Sequence, residues 1–420
     1  MRRSIISPLV VLSFLVLAVV ACNYPSVVPT PTVIPTLAQL PTLTPTVEEA
    51  PTLAPVATLA NNRATSTPLV LSGTYRAPVA GQPSVSGNNG SDSAALNANG
   101  ISVAGAFLQV PPSDTEAVPL DYDTSRTGRR IIIDQNGGLT LDGVPYNGNG
   151  KHAKQRFMQA RWSPDGRWLA YIVETPDAER GQLGWQATID DGVWLLDTST
   201  PNSTPQFIMR NAYDAPYDKP LRVAYNINWA SDNDAMLISV KRPGGTGSIL
   251  VGKGIHADDV ANGLFTVLPY VSSAWQADSQ GFVVATAPGN DPAKVVVIGR
   301  DIGKVTLIAD GVPLRLWMQD PTRLADGRYA FLAKPSSSGK IEGDSSGLAL
   351  YAMWPDQTPA QVTPLLSGEV VSAAWNPNRT ALLVVLRTAQ GIQAKVIGID
   401  GNITDYTTQA RGSTSVHWAR

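Results

Sequence analysis

Few residues in this 420-residue chain have types and spacings that point to chemistry. The three histidines, His152, His256 and His417, stand far apart, and none shows the i, i+4 pairing that holds zinc on a helix. No G-x-S-x-G elbow, phosphate-cradling glycine loop or dinucleotide fingerprint occurs. Adjacent acids at Asp190-Asp191 and Asp258-Asp259 fall in segments that read as turns, where solvated carboxylates are the ordinary outcome. His417 lies within the strand-like run "SVHWA". Residue types alone therefore predict no catalytic set, no metal site and no cofactor.

The one reactive side chain with a telling position is Cys22, the only cysteine, so no intrachain disulfide can form. It follows Met1-Arg2-Arg3 and an apolar run from Ile5 to Ala21 broken by Ser7, Pro8 and Ser13. That run is shorter than the roughly 20 residues a membrane span needs and reads as a secretory signal over 1–21. The motif "VVAC" (19–22) resembles the bacterial lipobox, which implies cleavage before Cys22 and a diacylglyceryl group on its sulfur. Two or more acyl chains, at roughly 0.8 kcal/mol per buried methylene, anchor stably where one does not.

From Pro25 to Pro68 the chain repeats Pro-Thr, and proline fixes φ and removes donors. At about 3.1 Å per residue this stretch reaches on the order of 130 Å. Gly, Asn and Ser follow through 71–100 ("SGNNGSDSAALNANG" at its end). The expectation is a lipid-anchored, disordered linker over 22–100 and a folded domain over 101–420.

Within that domain a strand, a Trp, a polar turn and a second apolar strand recur: "RWSPDGRWLAYIV" (161–173), "INWASDNDAMLISV" (227–240), "SAWQADSQGFVVAT" (273–286) and "AAWNPNRTALLVVL" (373–386). With "TRLADGRYAFLA" (322–333), where Arg323 takes the place of the Trp, and Trp418, the six anchors are spaced 67, 46, 48, 52 and 43 residues. Two units split cleanly into four short β-type runs. In one these are "VSSAW", "GFVVAT", "KVVVIG" and "KVTLIA"; in the other, "VSAAW", "ALLVVL", "QAKVIGI" and "NITDYTT". Asp165, Asp232, Asp278 and Asp326 each follow their anchor by three residues and read as turn formers. Calcium is the alternative at "SDND" (231–234), where two carboxylates make a poor site.

The pattern resembles the TolB-like, WD-related propeller repeats of cell-envelope proteins, over 129 to the end. The resemblance implies an all-β fold, a six-bladed β-propeller of four-stranded blades. The last blade is expected to be composite: "ISVAGAFLQV", "RRIIID" and "GLTLDG" from 101–143, closed by the C-terminal strand in 413–419.

The net charge of −2, from 32 Lys+Arg against 34 Asp+Glu, gives no electrostatic footprint for nucleic acid and no polybasic patch for anionic lipid. The functional expectation is a monomeric, extracytoplasmic, membrane-anchored platform that binds an envelope protein or glycan without catalysis. The alternative is a propeller-type enzyme, a polysaccharide lyase, glycosidase or similar hydrolase. Long insertions at 175–190, 211–225, 334–346 and 144–155 predict a binding rim with Trp185, Tyr213, Tyr217, Tyr146, Arg222 and His152. Aromatics with Arg are what binding hot spots are made of, although such side chains can equally pack their own loops.

Overall fold

The computed structural model describes residues 100–419 except 149–154, 184–188, 215–218, 243–244, 253–269, 287–290, 301–303 and 341–343. Cys22, the signal segment and almost all of the linker lie outside the described residues. So do Trp185, Tyr217, His152 and His256.

The strands fall into seven antiparallel sheets. The chain begins with a hairpin of β1 (Gly100–Val103) and β2 (Ala106–Gln109). Sheet 1 follows as β3 (Asp121–Thr124), β4 (Arg130–Ile133), β5 (Leu139–Leu141) and β6 (Val144–Tyr146). Sheet 2 holds β7 (Arg156–Trp162), β8 (Trp168–Glu174), β9 (Gly192–Asp197) and β10 (Gln206–Arg210). A short helix, α1 (Asp177–Leu183), interrupts it.

Sheet 3 holds β11 (Ala212–Asp214), β12 (Lys219–Trp229), β13 (Ala235–Arg242) and β14 (Gly245–Gly252). In sheet 4 come β15 (Tyr270–Trp275), β16 (Gly281–Thr286), β17 (Lys294–Gly299) and β18 (Val305–Asp310). Sheet 5 is β19 (Leu316–Arg323), β20 (Tyr329–Pro335), β21 (Ala349–Met353) and β22 (Ala360–Gln361). Sheet 6 is β23 (Glu369–Trp375), β24 (Ala381–Thr388), β25 (Gly391–Gly398) and β26 (Ile403–Asp405). Finally β27 (His417–Trp418) pairs with β2, so that β1, β2 and β27 form sheet 7.

The sheets close a ring. Strand β3 packs on β7, β7 on β12, β12 on β15, β15 on β19, β19 on β23 and β23 on β27. The circuit ends where β27 meets sheet 1: Ser415 Oγ donates to Leu120 O at 2.7 Å, and the His417 ring lies 5.5 Å from that of Tyr122. Sheets arranged radially about one axis in this way make a β-propeller.

Two expectations change. Among the described residues there are seven sheets rather than six blades, and the composite blade is smaller than expected. The segment 100–109 is a hairpin turning at Ala104-Gly105, both at positive φ, rather than one strand. Arg130–Ile133 and Leu139–Leu141 belong to sheet 1, whose inner strand is Asp121–Thr124. "DYDT" does not read as a strand because its carboxylates are polar. Yet both point at the neighbouring strand, where Asp121 Oδ2 accepts from Ala160 N (2.9 Å) and Asp123 Oδ2 from Trp162 N (2.8 Å).

The second strand of a sheet has a neighbouring sheet on each face, which explains its unbroken apolar run. Ala381 through Leu386 are all fully buried. Inner strands are different. In five sheets the pairing of the inner strand (β7, β12, β15, β19 or β23) with the strand after it slips, between Phe157 and Gln159, Ala224 and Asn226, Tyr270 and Ser272, Gln319 and Thr322, and Val370 and Ser372. Such bulges bend a strand and re-aim its side chains. Here Gln159 uses the freedom to bridge sheets, donating to Asn226 Oδ1 at 2.9 Å and accepting from Ile227 N at 2.7 Å.

Candidate functional site

The described members of the sequence-nominated rim pack inward. Tyr213 is buried; its hydroxyl accepts from Arg180 Nη1 (3.1 Å) and Asn211 Nδ2 (3.4 Å), and the guanidinium lies 4.2 Å from the ring centre. Burial, followed by the charges of Glu174 and Asp191, holds the Tyr213 phenol neutral far above its usual range. Arg180, on α1, also bonds Glu174 Oε1 (2.8 Å) and Thr175 O (2.6 Å), which pins the insertion to its sheet. Tyr146 lies against Phe157 and Tyr171, its ring centre 6.2 and 6.0 Å from theirs. Arg222 donates to Arg210 O at 3.2 Å, and burial with nearby Arg242 lowers its basicity. Tyr146 sits on the outer strand of sheet 1, whereas Tyr213 and Arg222 belong to the first hairpin of sheet 3.

The cavity lies elsewhere. About 210 Å³ of space on the ring axis is lined by residues of all seven sheets, among them Asp123, Arg161, Asn228, Ser273, Asp320, Ala374 and His417. Its wall continues through Ser163, Ser231, Gln276, Pro377 and Arg379, so it opens among the turns that follow the first strands. The long insertions after second strands sit at the opposite ends of those strands. The turns themselves behave as expected. Asp232, Asp278 and Asp326 each accept the amide two residues on at 3.0 Å, and Asp165 does so at 3.1 Å.

Five inner strands end in Trp, and the indoles tie sheet to sheet. Trp229 Nε1 donates to Arg161 O (3.2 Å), Trp275 to Asn228 O (2.9 Å), Trp375 to Asp320 O (2.9 Å) and Trp418 to Ala374 O (2.8 Å). Each acceptor belongs to the preceding sheet. Trp162 follows sheet 1, and its buried Nε1 has no partner among the described residues.

Most charge on the wall is neutralised locally. Arg161 Nη1 meets Asp121 Oδ2 at 2.6 Å. His417 Nδ1 donates to Ser415 O at 2.7 Å, and its Nε2 pairs with Asp123 Oδ1 at 3.2 Å. Two groups are exceptions.

Asp320 sits in the bulge of β19, at φ 51 and directly before Pro321. Its amide donates to Ser272 Oγ of sheet 4 at 2.5 Å while its carbonyl accepts from Trp375 of sheet 6, so neighbours on both sides fix a conformation that L residues disfavour. Burial raises its carboxyl to about 7, against the opposing hydrogen bonds of Ser272 and Gln319. No cation pairs with it among the described residues.

Arg379 is the second exception. It has φ 57 in the turn of sheet 6, the position that Gly166 and Gly327 occupy in the turns of sheets 2 and 5. Its Nη1 donates to Asn376 O (2.9 Å) and its Nη2 to Trp275 O (2.6 Å), reaching past sheet 5 to sheet 4. Its buried Nε has no partner among the described residues, and burial pushes its basicity down to about 10.

Neither residue was a candidate from sequence, although both left a trace. "DP" interrupts an otherwise apolar strand in "LWMQDPTR", and "NPNR" puts Arg where "SPDG" has Gly.

No family model matches the chain, and no curated relative does. Similar solved structures include TolB from Acinetobacter baumannii, at 14% identity over 69% of this chain and 62% of that one, TM-score 0.38. The β-propeller domain of the Trilobed protease from Pyrococcus furiosus is 14% identical over 72% and 81%, TM-score 0.40. A prolyl endopeptidase is 13% identical over 75% of this chain, TM-score 0.42, and this chain spans 44% of its length. The ring itself follows from the pairing of the strands within sheets and their packing from sheet to sheet.

Proposed function

We propose that the chain is a non-catalytic binding platform whose ligand enters the axial cavity from the side of the first-strand turns. In this reading Cys22 carries the lipid anchor, the Pro/Thr-rich segment is the stalk, and the propeller faces the extracytoplasmic side. There it takes an envelope protein or glycan. The observation that supports it is how the cavity's reactive groups are used. His417, the one histidine among the described residues, has both ring nitrogens committed, to Ser415 O and to Asp123. The oxygens of Asp123 are held by Thr124 N, Trp162 N and His417. A general base needs a nitrogen or oxygen free to reach a substrate proton.

One observation favours an enzyme: a carboxyl poised near 7, as at Asp320, suits a general acid. Glycoside hydrolysis needs a second carboxyl across the bond, and the other acid on the cavity wall, Asp123, is spent on main-chain amides and His417.

The test is site-specific photocrosslinking of the full chain in intact envelope. The crosslinker is placed at Ala277 on the cavity mouth or at Tyr225 on an inner strand's exposed far half. The platform reading expects a defined adduct from position 277 that disappears when Ala374→Trp fills the cavity. An adduct unaffected by the plug would sink it.

A further inference from the structure

Two ionisable groups of opposite sign line this cavity, and neither has a counter-ion among the described residues. A charge taken from water without one costs several kcal/mol, and proteins ordinarily neutralise or pair it. Asp320 and Arg379 are not paired with each other. The guanidinium hydrogen-bonds only to the carbonyls of Asn376 and Trp275, and the carboxyl faces no cation among the described residues. Both also hold left-handed backbone, at φ 51 and φ 57; the turn position of Arg379 is likewise held at positive φ by Gly166, Asn233, Ser279 and Gly327 in the other turns. Elsewhere on the wall the same problem is solved by pairing, Arg161 with Asp121 and His417 with Asp123.

Bridging sheet 4 to sheet 6 accounts for part of Arg379. A neutral donor would do that without leaving a buried charge, so the bridge does not account for the guanidinium. It does not account for the Asp320 carboxyl, which has hydrogen bonds with Ser272 and Gln319 but no counter-charge among the described residues.

We infer that the axial cavity binds a small zwitterion, a molecule of amino-acid or short-peptide chemistry whose carboxylate meets Arg379 and whose protonated amine meets Asp320. This rests on the axial cavity being the ligand site. The space suits it: about 210 Å³ is the room of about seven waters at roughly 30 Å³ each. Ser273, Ala274, Ala373 and Ala374, all with small side chains, line the same cavity. Each end of the ligand would meet a group that has no other counter-charge among the described residues, which makes the two contacts charge-assisted.

The experiment is calorimetric titration of the full chain at pH 8 with a graded series: glycine, β-alanine, 4-aminobutyrate, 6-aminohexanoate and glycylglycine. Each is also tested N-acetylated and as the carboxamide. At least one free zwitterion should bind, and blocking either end should weaken it about tenfold or more, as expected for loss of a charge-assisted bond. Asp320→Asn should make the free and N-acetylated forms equivalent. Arg379→Gln should make the free and amidated forms equivalent, while Arg379→Lys keeps part of the difference and serves as the control if Arg379→Gln unfolds. Absence of binding across the whole series, or blocked and free forms binding alike, overturns the inference. Failure of the two readings is separable. If no zwitterion binds but Ala374→Trp abolishes the photocrosslinked adduct, the platform stands and the zwitterion falls. An adduct that survives the plug removes the platform reading itself.

Discussion

Sheets 4 and 5 build the same inner corner in different ways. In sheet 4 the strand ends in Trp275, whose indole fills the corner and bonds Asn228 O of the sheet before it. In sheet 5 the matching register position is Arg323, which is exposed, and the strand bulges by one residue, with Asp320 and Pro321 opposite Phe331. The carbonyl of Asp320 still accepts the indole of Trp375. The carbonyl of Trp275, facing the sheet that lacks a Trp, is taken by Arg379 from one sheet further on. The regular corner makes a wall. The irregular one puts a carboxyl on that wall and leaves the Trp275 carbonyl to a guanidinium from sheet 6, and the difference teaches that the fold lives in the repeat while the site lives where it lapses.

The comparison breaks most severely if the ring itself opens. Deleting residues 413–420 removes β27, its pairing with β2 and buried Trp418, leaving an unpaired edge in the closure. Urea unfolding should show a loss of at least about 3–5 kcal/mol, the range for removing one buried aromatic, together with aggregation. An unchanged midpoint would mean that the ring does not depend on this strand.

Next comes a regular corner against the irregular one. Trp229→Ala should cost about 3–5 kcal/mol, as a large buried side chain leaves a cavity. Arg323→Ala, at the register-equivalent but exposed position, should stay within about 0.5 kcal/mol. Similar losses at both would erase the distinction.

The pH dependence of sheet 5 is a smaller effect. The Asp320 carboxyl sits at about 7 when folded, against an ordinary 3.8, so the folded chain holds this proton longer than the unfolded chain does. Its contribution is therefore most favourable below about pH 4 and declines as pH rises to about 7, by on the order of 2–4 kcal/mol. Asp320→Asn should be more stable than the native chain at pH 8 and not at pH 4, read as the difference between their unfolding curves. A constant difference across that range would count against a raised carboxyl.

Smallest is the test of the indole bonds. Trp229→Phe and Trp162→Phe remove similar volume, but only Trp229 Nε1 has an acceptor. The first should cost about 1 kcal/mol more than the second in matched unfolding curves. Equal costs would show that the indole-to-carbonyl bonds add nothing.

The sequence made the repeat legible because its period is written in side chains with strong preferences. Trp ends the strand, Asp and Gly make the turn, and the doubly buried second strand is a run such as "ALLVVL". Sheet 1 was hidden for the opposite reason. Asp121 and Asp123 make its inner strand look like a loop, and only the main-chain amides of β7 explain them. Composition alone does not separate a binding rim from side chains that pack their own loops. Tyr213 and Tyr146 are aromatic side chains near insertions, but Arg180 and Tyr171 draw them inward. Asp320 and Arg379 lie 59 residues apart in sequence, so nothing local connects them until the ring closes.

The most direct measurement is a carbon-13 NMR titration of the Asp320 side-chain carboxyl in the full chain, assigned by its disappearance in Asp320→Asn. The account predicts a midpoint near 7, because the group is enclosed in the cavity wall without a cation. A midpoint near 4 would mean a solvated or paired carboxylate and would contradict the claim that the lapse in sheet 5 builds the site.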